Sequence, residues 1–342
     1  HKYLKTDTLS LALDSQDMKI QDIQPMIKNI GTKDYGIHDP RFSVNRREID
    51  LMFASMLGAG LSDGHVEKHN RGFVYTESDP ERVDIFQSQV QRFGDVYNSE
   101  DIRPNGVTRI RFSTSFGRSL ENRGLTCGDK TYQNEGWPQW LKDAPVEAKL
   151  KYYKSMFQQD GSFTIDEKGR ARFQVDRGVV MRDPGKSIIY SINDIASLEE
   201  SEFVWQHGRR KQDERFGMTR QLNKGKLDDL ENSPDEDISR IARSLKELVA
   251  ANQPKLMVDE RKGLEDCGID SREYFAYLTY YENSERLSAL WRYYTRTKDD
   301  AMRVGILCPP EDNLKRGKVE NWMKTEPDRV KRVKNELGME ME

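Results

Sequence analysis

Met56-Leu57-Gly58-Ala59-Gly60-Leu61-Ser62-Asp63-Gly64 decides how this chain folds. A second stretch, Tyr153-Lys154-Ser155-Met156-Phe157-Gln158-Gln159-Asp160-Gly161, ends the same way, with its aspartate 97 residues after the first. Each reads as an apolar helix that stops at Asp-Gly with a strand directly behind it, and glycine just past the last turn is a good helix terminator. Gly58 and Gly60 inside a helix cost about 1 kcal/mol each relative to alanine, so a helix that keeps them gains close backbone approach to a partner. Asp63 falls at the helix end where the macrodipole disfavours negative charge. Two such repeats on one chain can pack as pseudo-twofold halves and bring Asp63 and Asp160 together. Side by side, the carboxylates repel unless a cation lies between them, and a hard divalent cation with oxygen ligands meets that need. One segment alone reads as an ordinary amphipathic helix ending in an Asp-Gly turn. Two, in the same context, read as an internal repeat.

The surroundings repeat as well. Asn45 and Glu48 have capping-box spacing, and Ile49, Met52, Phe53, Met56 and Leu57 then recur on one helical face. Gly72 to Thr76 and Val107 to Phe116 read as strands, with Pro80 to Phe93 a helix between them. Asp143 and Pro145 open the second helix, which leads to strands at Ser162 to Ile165, Ala171 to Val175 and Ser187 to Ile192. Further on, Ile238 to Ala251 and Ser284 to Thr295 read as helices and Tyr274 to Tyr281 as a strand. The expected organisation is an N-terminal extension at 1–42, a first module at 43–142, a second at 143–310 with a polar insertion near 194–236, and a basic C-terminal helix at 311–342 behind Pro309-Pro310. Tyr280, Tyr281, Trp291, Tyr293 and Tyr294 read as core.

Of 342 residues, 35% are hydrophobic, 33% charged and 9% aromatic, which leaves material for folded domains. No apolar run of 18 residues exists, so a spanning helix is excluded. No signal-type apolar segment opens the chain. Cys127, Cys267 and Cys308 are far apart, which argues against a disulfide framework or a cysteine zinc site. A cytoplasmic, nucleoid-associated or organellar setting is expected rather than secretion. The net charge of −3 counts against nucleic-acid binding if spread evenly, but it is segregated. Asp228 to Asp237 carries six acids and no base, and Lys315 to Lys334 carries eight bases against three acids. Phosphates respond to local charge.

Met56 to Gly64 resembles the first motif of the LAGLIDADG homing endonuclease family. Pro138-Gln139-Trp140-Leu141 with Ala144-Pro145 and Phe157-Gln158-Gln159-Asp160-Gly161-Ser162-Phe163 resembles the second. The resemblance implies an α+β fold: a pseudo-twofold pair of αββαββα modules whose saddle-shaped antiparallel sheets lie over double-stranded DNA, on a monomer that cuts both strands. It implies Mg²⁺ or Mn²⁺ at Asp63 and Asp160, with Ser62 and Gln159 in the same metal site. A lysine near the second motif helps activate water in this family; Lys130 matches that position, and Lys262 is the second-copy candidate. Three residues depart from the family pattern: Leu61 and Gln158 stand at its acidic step, and Gln159 is bulky where a small residue is usual. The strand faces carrying Arg109, Arg111, Ser113 and Ser115, and Arg170, Arg172 and Gln174, suit base-edge and phosphate contacts in the major groove, or simply face solvent. His65, beside Asp63, reads as structural or DNA-facing, and His69 lies close by. Two other readings stay open at this point: a non-cleaving nucleic-acid binder of the same fold, either an RNA maturase or a DNA-binding regulator, and a protein-interaction module built on the acidic run.

Overall fold

A computed structural model describes residues 29–30, 37–38, 46–181, 219–281 and 286–339. Asn45, most of the 1–42 extension, the Ser187 to Ile192 strand and residues 194–218 of the insertion lie outside the described residues. The chain forms two compact units, one of residues 1–130, 138–173 and 298–342, the other of 131–137 and 174–297. Compactness and repetition therefore divide the chain differently, because both ends of the second repeat belong to the first unit.

The first unit is built on α1 (Arg46–Ser62) and α5 (Val146–Gln159), which pack along each other. The glycines decide how closely. A Cβ on Gly58 would lie 2.3 Å from the carbonyl oxygen of Tyr152 and 3.0 Å from the Cβ of Ser155. Ser55 and Ser155 share a buried hydroxyl–hydroxyl hydrogen bond of 2.7 Å. Advancing by the 97-residue repeat carries Ser55 to Tyr152 and Gly58 to Ser155, so these two contacts are each other's twofold images.

Against α1 lies an antiparallel sheet ordered β3-β4-β7-β6, from β3 (Gly64–Val66), β4 (Phe73–Glu77), β6 (Asn98–Ile102) and β7 (Thr108–Phe112). A small sheet, β1 (Asn29–Ile30), β2 (Ile37–His38) and β5 (Asp95–Val96), stands beside it in sequence. Phe73, Phe86, Phe112 and Phe116 fill the core, and Tyr75 stacks on Phe86 at 4.0 Å between ring centroids. α2 (Pro80–Val90) starts at Asp79, whose side chain accepts from the Glu81 amide. The strand expected to run from Val107 to Phe116 stops at Phe112. Ser113 turns the chain by accepting from the Phe116 amide, and α3 (Thr114–Asn122) follows. The short α4 (Gln139–Lys142) leads into α5. The chain closes with α9 (Lys298–Leu307), α10 (Asn313–Thr325) and α11 (Pro327–Glu336), so the C-terminal helix expected as one piece is two, broken before Pro327.

The second repeat runs β8 (Ser162–Ile165), β9 (Ala171–Val180), β10 (Thr219–Asn223), α6 (Lys224–Glu231), α7 (Glu236–Ala251), α8 (Lys255–Asp266), β11 (Ser271–Tyr281) and β12 (Arg286–Thr295). Its sheet order is β10-β11-β12-β9-β8. Without β10 the order matches the first sheet strand for strand, and the two repeats together form the α+β, αββαββα pattern. In the second unit, Leu227, Leu230, Ala242, Leu245 and Val249 from α6 and α7 pack on Leu278, Tyr280, Leu287 and Ala289 of the sheet. Arg177, Glu260 and Tyr293 form a buried hydrogen-bonded group. The helix expected over Ser284 to Thr295 is instead β12, paired on both sides, with β11 and β9. Leu287, Ala289, Tyr293 and Thr295 point to its buried face. Tyr280 and Tyr293 are core as expected; Tyr281 and Tyr294 are only half-buried. Among the described residues no helix is long and apolar enough to cross a membrane.

Candidate active site

Asp63 follows the last turn of α1, and Asp160 is the C-cap of α5. Each backbone amide closes its own helix, Asp63 on Ala59 at 3.0 Å and Asp160 on Met156 at 3.0 Å. The pairing of α1 with α5 brings the carboxylates into each other's field. Burial, then Asp160, then Glu77 push the Asp63 carboxyl up to about 6, against the opposing pull of Lys130 and Arg82.

Each helix end is held by one lysine. Lys130 Nζ donates to the carbonyls of Leu61 at 2.7 Å, of Ser62, and more weakly of Gly60 and Gly64 at 3.4 Å. Lys315 Nζ donates to the carbonyls of Phe157 at 3.0 Å, Gln158 at 2.7 Å and Gln159 at 3.3 Å. Positions 60, 61 and 62 advance by 97 to 157, 158 and 159, so the two ammonium groups are equivalent under the repeat. A cation on the last carbonyls of a helix is favoured by the dipole. Burial and the nearby Arg82 push Lys315 down to about 8 although Asp312, Asp63 and Asp160 act the other way.

Lys262, expected in the second lysine's place, is an exposed residue of α8 in the other unit. The equivalence shows once the fold fixes the helix ends. Lys130 lies eight residues beyond Asn122, the end of α3, and Lys315 eight beyond Leu307, the end of α9.

Ser62 and Gln159, the paired positions before the aspartates, solve their burial differently. The Ser62 hydroxyl donates back to the Gly58 carbonyl at 2.9 Å. The larger Gln159 accepts from the Tyr75 hydroxyl at 2.9 Å, which gives its side chain a place beside the helix pair. Glu77, Tyr75 and Arg82 were not singled out from sequence. Glu77 is buried on amides of Ser78 and Asp79 at 2.7 and 3.0 Å and pairs with Arg82 at 3.5 Å. His65 lies in β3, its pKa lowered by burial.

Among the described residues no group of three or more His, Cys, Asp or Glu side chains could hold a metal. What the two helix ends offer is all oxygen: two carboxylates and the carbonyls before them. That donor set suits a hard divalent cation, and the raised Asp63 pKa beside Asp160 is a charge conflict that a cation relieves.

Arg109 and Arg111 lie in β7, and both pair with Glu67, at 3.0 and 2.9 Å. Ser113 and Ser115 leave that sheet: Ser113 is the buried α3 cap and Ser115 lies in the first turn of α3. Arg170 precedes β9 and pairs with Asp166 at 2.6 Å. Arg172 and Gln174 alternate along β9 with buried Ala171, Phe173 and Val175. Asp176 follows them on that side of the strand and pairs with Arg292 at 2.6 Å.

No family model matches the chain, and no curated protein matches it. Solved structures do. Mesophilic variants of the homing endonuclease I-DmoI match at 10% identity over 76% of this chain and 96% of that one, with a TM-score of 0.36. I-DmoI in complex with DNA and Mn matches at 9% identity, 77% and 99% coverage and a TM-score of 0.36. Full-length DUF199/WhiA from Thermatoga maritima matches at 10% identity over 93% of this chain and 71% of that one, with a TM-score of 0.40. Superpositions this loose decide nothing by themselves, so the fold rests on the repeated strand order and the twofold contacts of α1 with α5.

Proposed function

We propose that this chain binds double-stranded DNA and hydrolyses its phosphodiester bonds with Mg²⁺ or Mn²⁺ held by Asp63 and Asp160. The observation that carries the reading is the pair of helix ends: two carboxylates brought together by glycine-permitted packing, each beside a half-buried lysine. Asp63 and Asp160, with the carbonyls of Ser62 and Gln159, would hold the cation. When bound, it supplies Lewis-acid stabilisation of phosphoryl oxygens and an activated water. Lys130 and Lys315 stand where negative charge develops, and their helix-end hydrogen bonds fix that position before substrate arrives. Arg109, Arg111, Arg172 and Gln174 are the strand residues offered to DNA. Action beside DNA in a cytoplasmic or organellar compartment follows from this reading.

One observation favours a second reading, a DNA binder that does not cut. Lys130 and Lys315 already rest on the carbonyls of Ser62 and Gln159 and oppose the two carboxylates with two positive charges. Incubation with a randomised plasmid library and Mg²⁺ or Mn²⁺ separates the two. Discrete double-strand ends from the native chain, lost in Asp63→Asn and in Asp160→Asn while DNA binding stays within a few-fold, support the nuclease. Retained binding with no ends from the native chain establishes the non-cutting reading, and full cleavage by either variant removes the assignment of the aspartates.

A further inference from the structure

Lys130 and Lys315 are equivalent in place but not in support. Lys130 comes from a short turn behind α3, 67 positions after Asp63, whereas Lys315 comes from α10, 155 positions after Asp160 in the sequence. Something must hold α10 to the end of α5, and two buried polar side chains do so. Gln158 is 2% exposed and Asp312 fully buried. Gln158 Oε1 accepts from the backbone amides of Glu311 at 2.7 Å and Asp312 at 3.3 Å. Gln158 Nε2 donates to Asp312 Oδ2 at 2.7 Å. The other carboxylate oxygen of Asp312 accepts from the Lys315 amide at 2.7 Å and so caps α10. Arg82 Nε stands 3.9 Å from Asp312 Oδ2. Buried side chains bonded to each other and to backbone in this way are high-stakes: removing one partner leaves the others desolvated and unpaired.

The geometry points to Gln158 and Asp312 as positioning residues, a latch that holds Lys315 on the end of α5 and makes the C-terminal helices part of the second half of the site. This rests on the nuclease reading only for its catalytic consequence. It also accounts for glutamine at a position where the motif's pattern has an acid: a carboxylate there would face the carboxylate of Asp312 and could not donate to it.

The hydrogen-bond polarity supplies the test. Gln158→Glu alone sets two carboxylates against each other. Adding Asp312→Asn restores every bond with donor and acceptor exchanged, because the asparagine amide can donate to the new carboxylate while its oxygen still caps α10. Hydrogen exchange on the full chain, without metal or DNA, reads the latch directly. In Gln158→Glu the amides of Glu311, Asp312 and Lys315 should exchange about ten-fold faster or more, the scale of a lost bond to a charged group, with α11 unchanged. In the double variant they should return to native rates. On supercoiled plasmid with Mg²⁺, Gln158→Glu should accumulate nicked circles because one strand is cut slowly, the double variant should restore linear product, and Lys315→Met should nick without any change in exchange. Native exchange in Gln158→Glu, failure of the double variant to rescue, or equal cutting of both strands by Lys315→Met overturns the inference. A native chain that cuts nothing removes the nuclease reading instead, and the exchange results still decide the latch.

Discussion

Asp63 carries an electrostatic cost whose sign gives a test that needs no DNA. Its folded pKa of about 6 lies above the ordinary 3.8, with burial as the first cause and Asp160 as the second. The folded chain therefore holds this proton more tightly than the unfolded chain does. The associated stability is complete below pH 3.8 and is lost as the pH rises through 6. Asp63→Asn removes the ionised group, so it should stabilise the protein at pH 8 by about 1–3 kcal/mol, with the gain vanishing at pH 3.5 and below. Urea unfolding across that range measures it, and equal stabilities at all pH values would show that Asp63 is not under strain. The glycines of the same helix make a paired prediction. Gly58→Ala forces a methyl against the Tyr152 carbonyl at 2.3 Å, while Gly60→Ala meets side-chain atoms alone, the Leu125 methyls at 3.0 and 3.2 Å and the Phe73 ring at 3.4 Å, which need give by only tenths of an ångström. Alanine returns about 1 kcal/mol of helix propensity in both, so Gly60→Ala should be near neutral and Gly58→Ala should cost about 1–3 kcal/mol or more. Thermal unfolding that ranks them the other way would mean that α1 and α5 are not in close contact at Gly58.

At the scale of elements, what could be read from sequence was whatever had one physical interpretation. α1 and α5 were legible because a helical period ended twice in Asp-Gly, and Ser162 to Ile165 was legible because strand propensity and bounding glycine agreed. β12 was not. Leu287, Leu290, Trp291 and Tyr294 have helical spacing, yet Leu287, Ala289, Trp291 and Tyr293 also alternate, and both patterns are present in one segment. Pairing with β9 and β11 on either side selects the strand, and that partnership is non-local. Ser113 was ambiguous in the same way, since it continues an alternation and is also a good cap. The aspartates were legible and the second lysine was not, because its approach to α5 depends on how α10 docks. The β7 face yields a prediction of its own. Glu67 accepts from both Arg109 and Arg111, so Glu67→Gln frees charge for phosphate. Duplex binding followed by fluorescence anisotropy should tighten, and its dependence on salt should steepen by about one released counterion. Unchanged affinity and slope would place this face away from DNA.

For the whole molecule, charge is sorted by pairing rather than by totals. Part of the basic C-terminal stretch is consumed internally: Arg329 and Arg332 meet Asp299, Arg329 also meets Glu326 at 3.2 Å, and Lys315 is turned toward α5. It is therefore a poorer phosphate ligand than its sequence suggests. Part of the acidic run is consumed too, with Asp228 and Glu231 both on Lys246. The twofold pairing has a consequence of the same kind. A repeat that folded alone would expose the face of α1 bearing Ser55 and Gly58 and would need a second copy to cover it. Here α5 of the same chain covers it, through the Ser55–Ser155 bond, the Gly58–Tyr152 approach and the Arg47–Glu147 ion pair. Ser55 and Ser155 are buried in consequence, and a second copy finds that pairing surface already filled. The chain should therefore scatter light as a single species of 39.8 kDa, unchanged on dilution, since a dimer would dissociate by mass action. Gly58→Leu, which wedges α1 from α5, should expose both faces and shift the population toward larger species. A native protein that scatters at twice the monomer mass at every concentration would mean that the two repeats pair between chains.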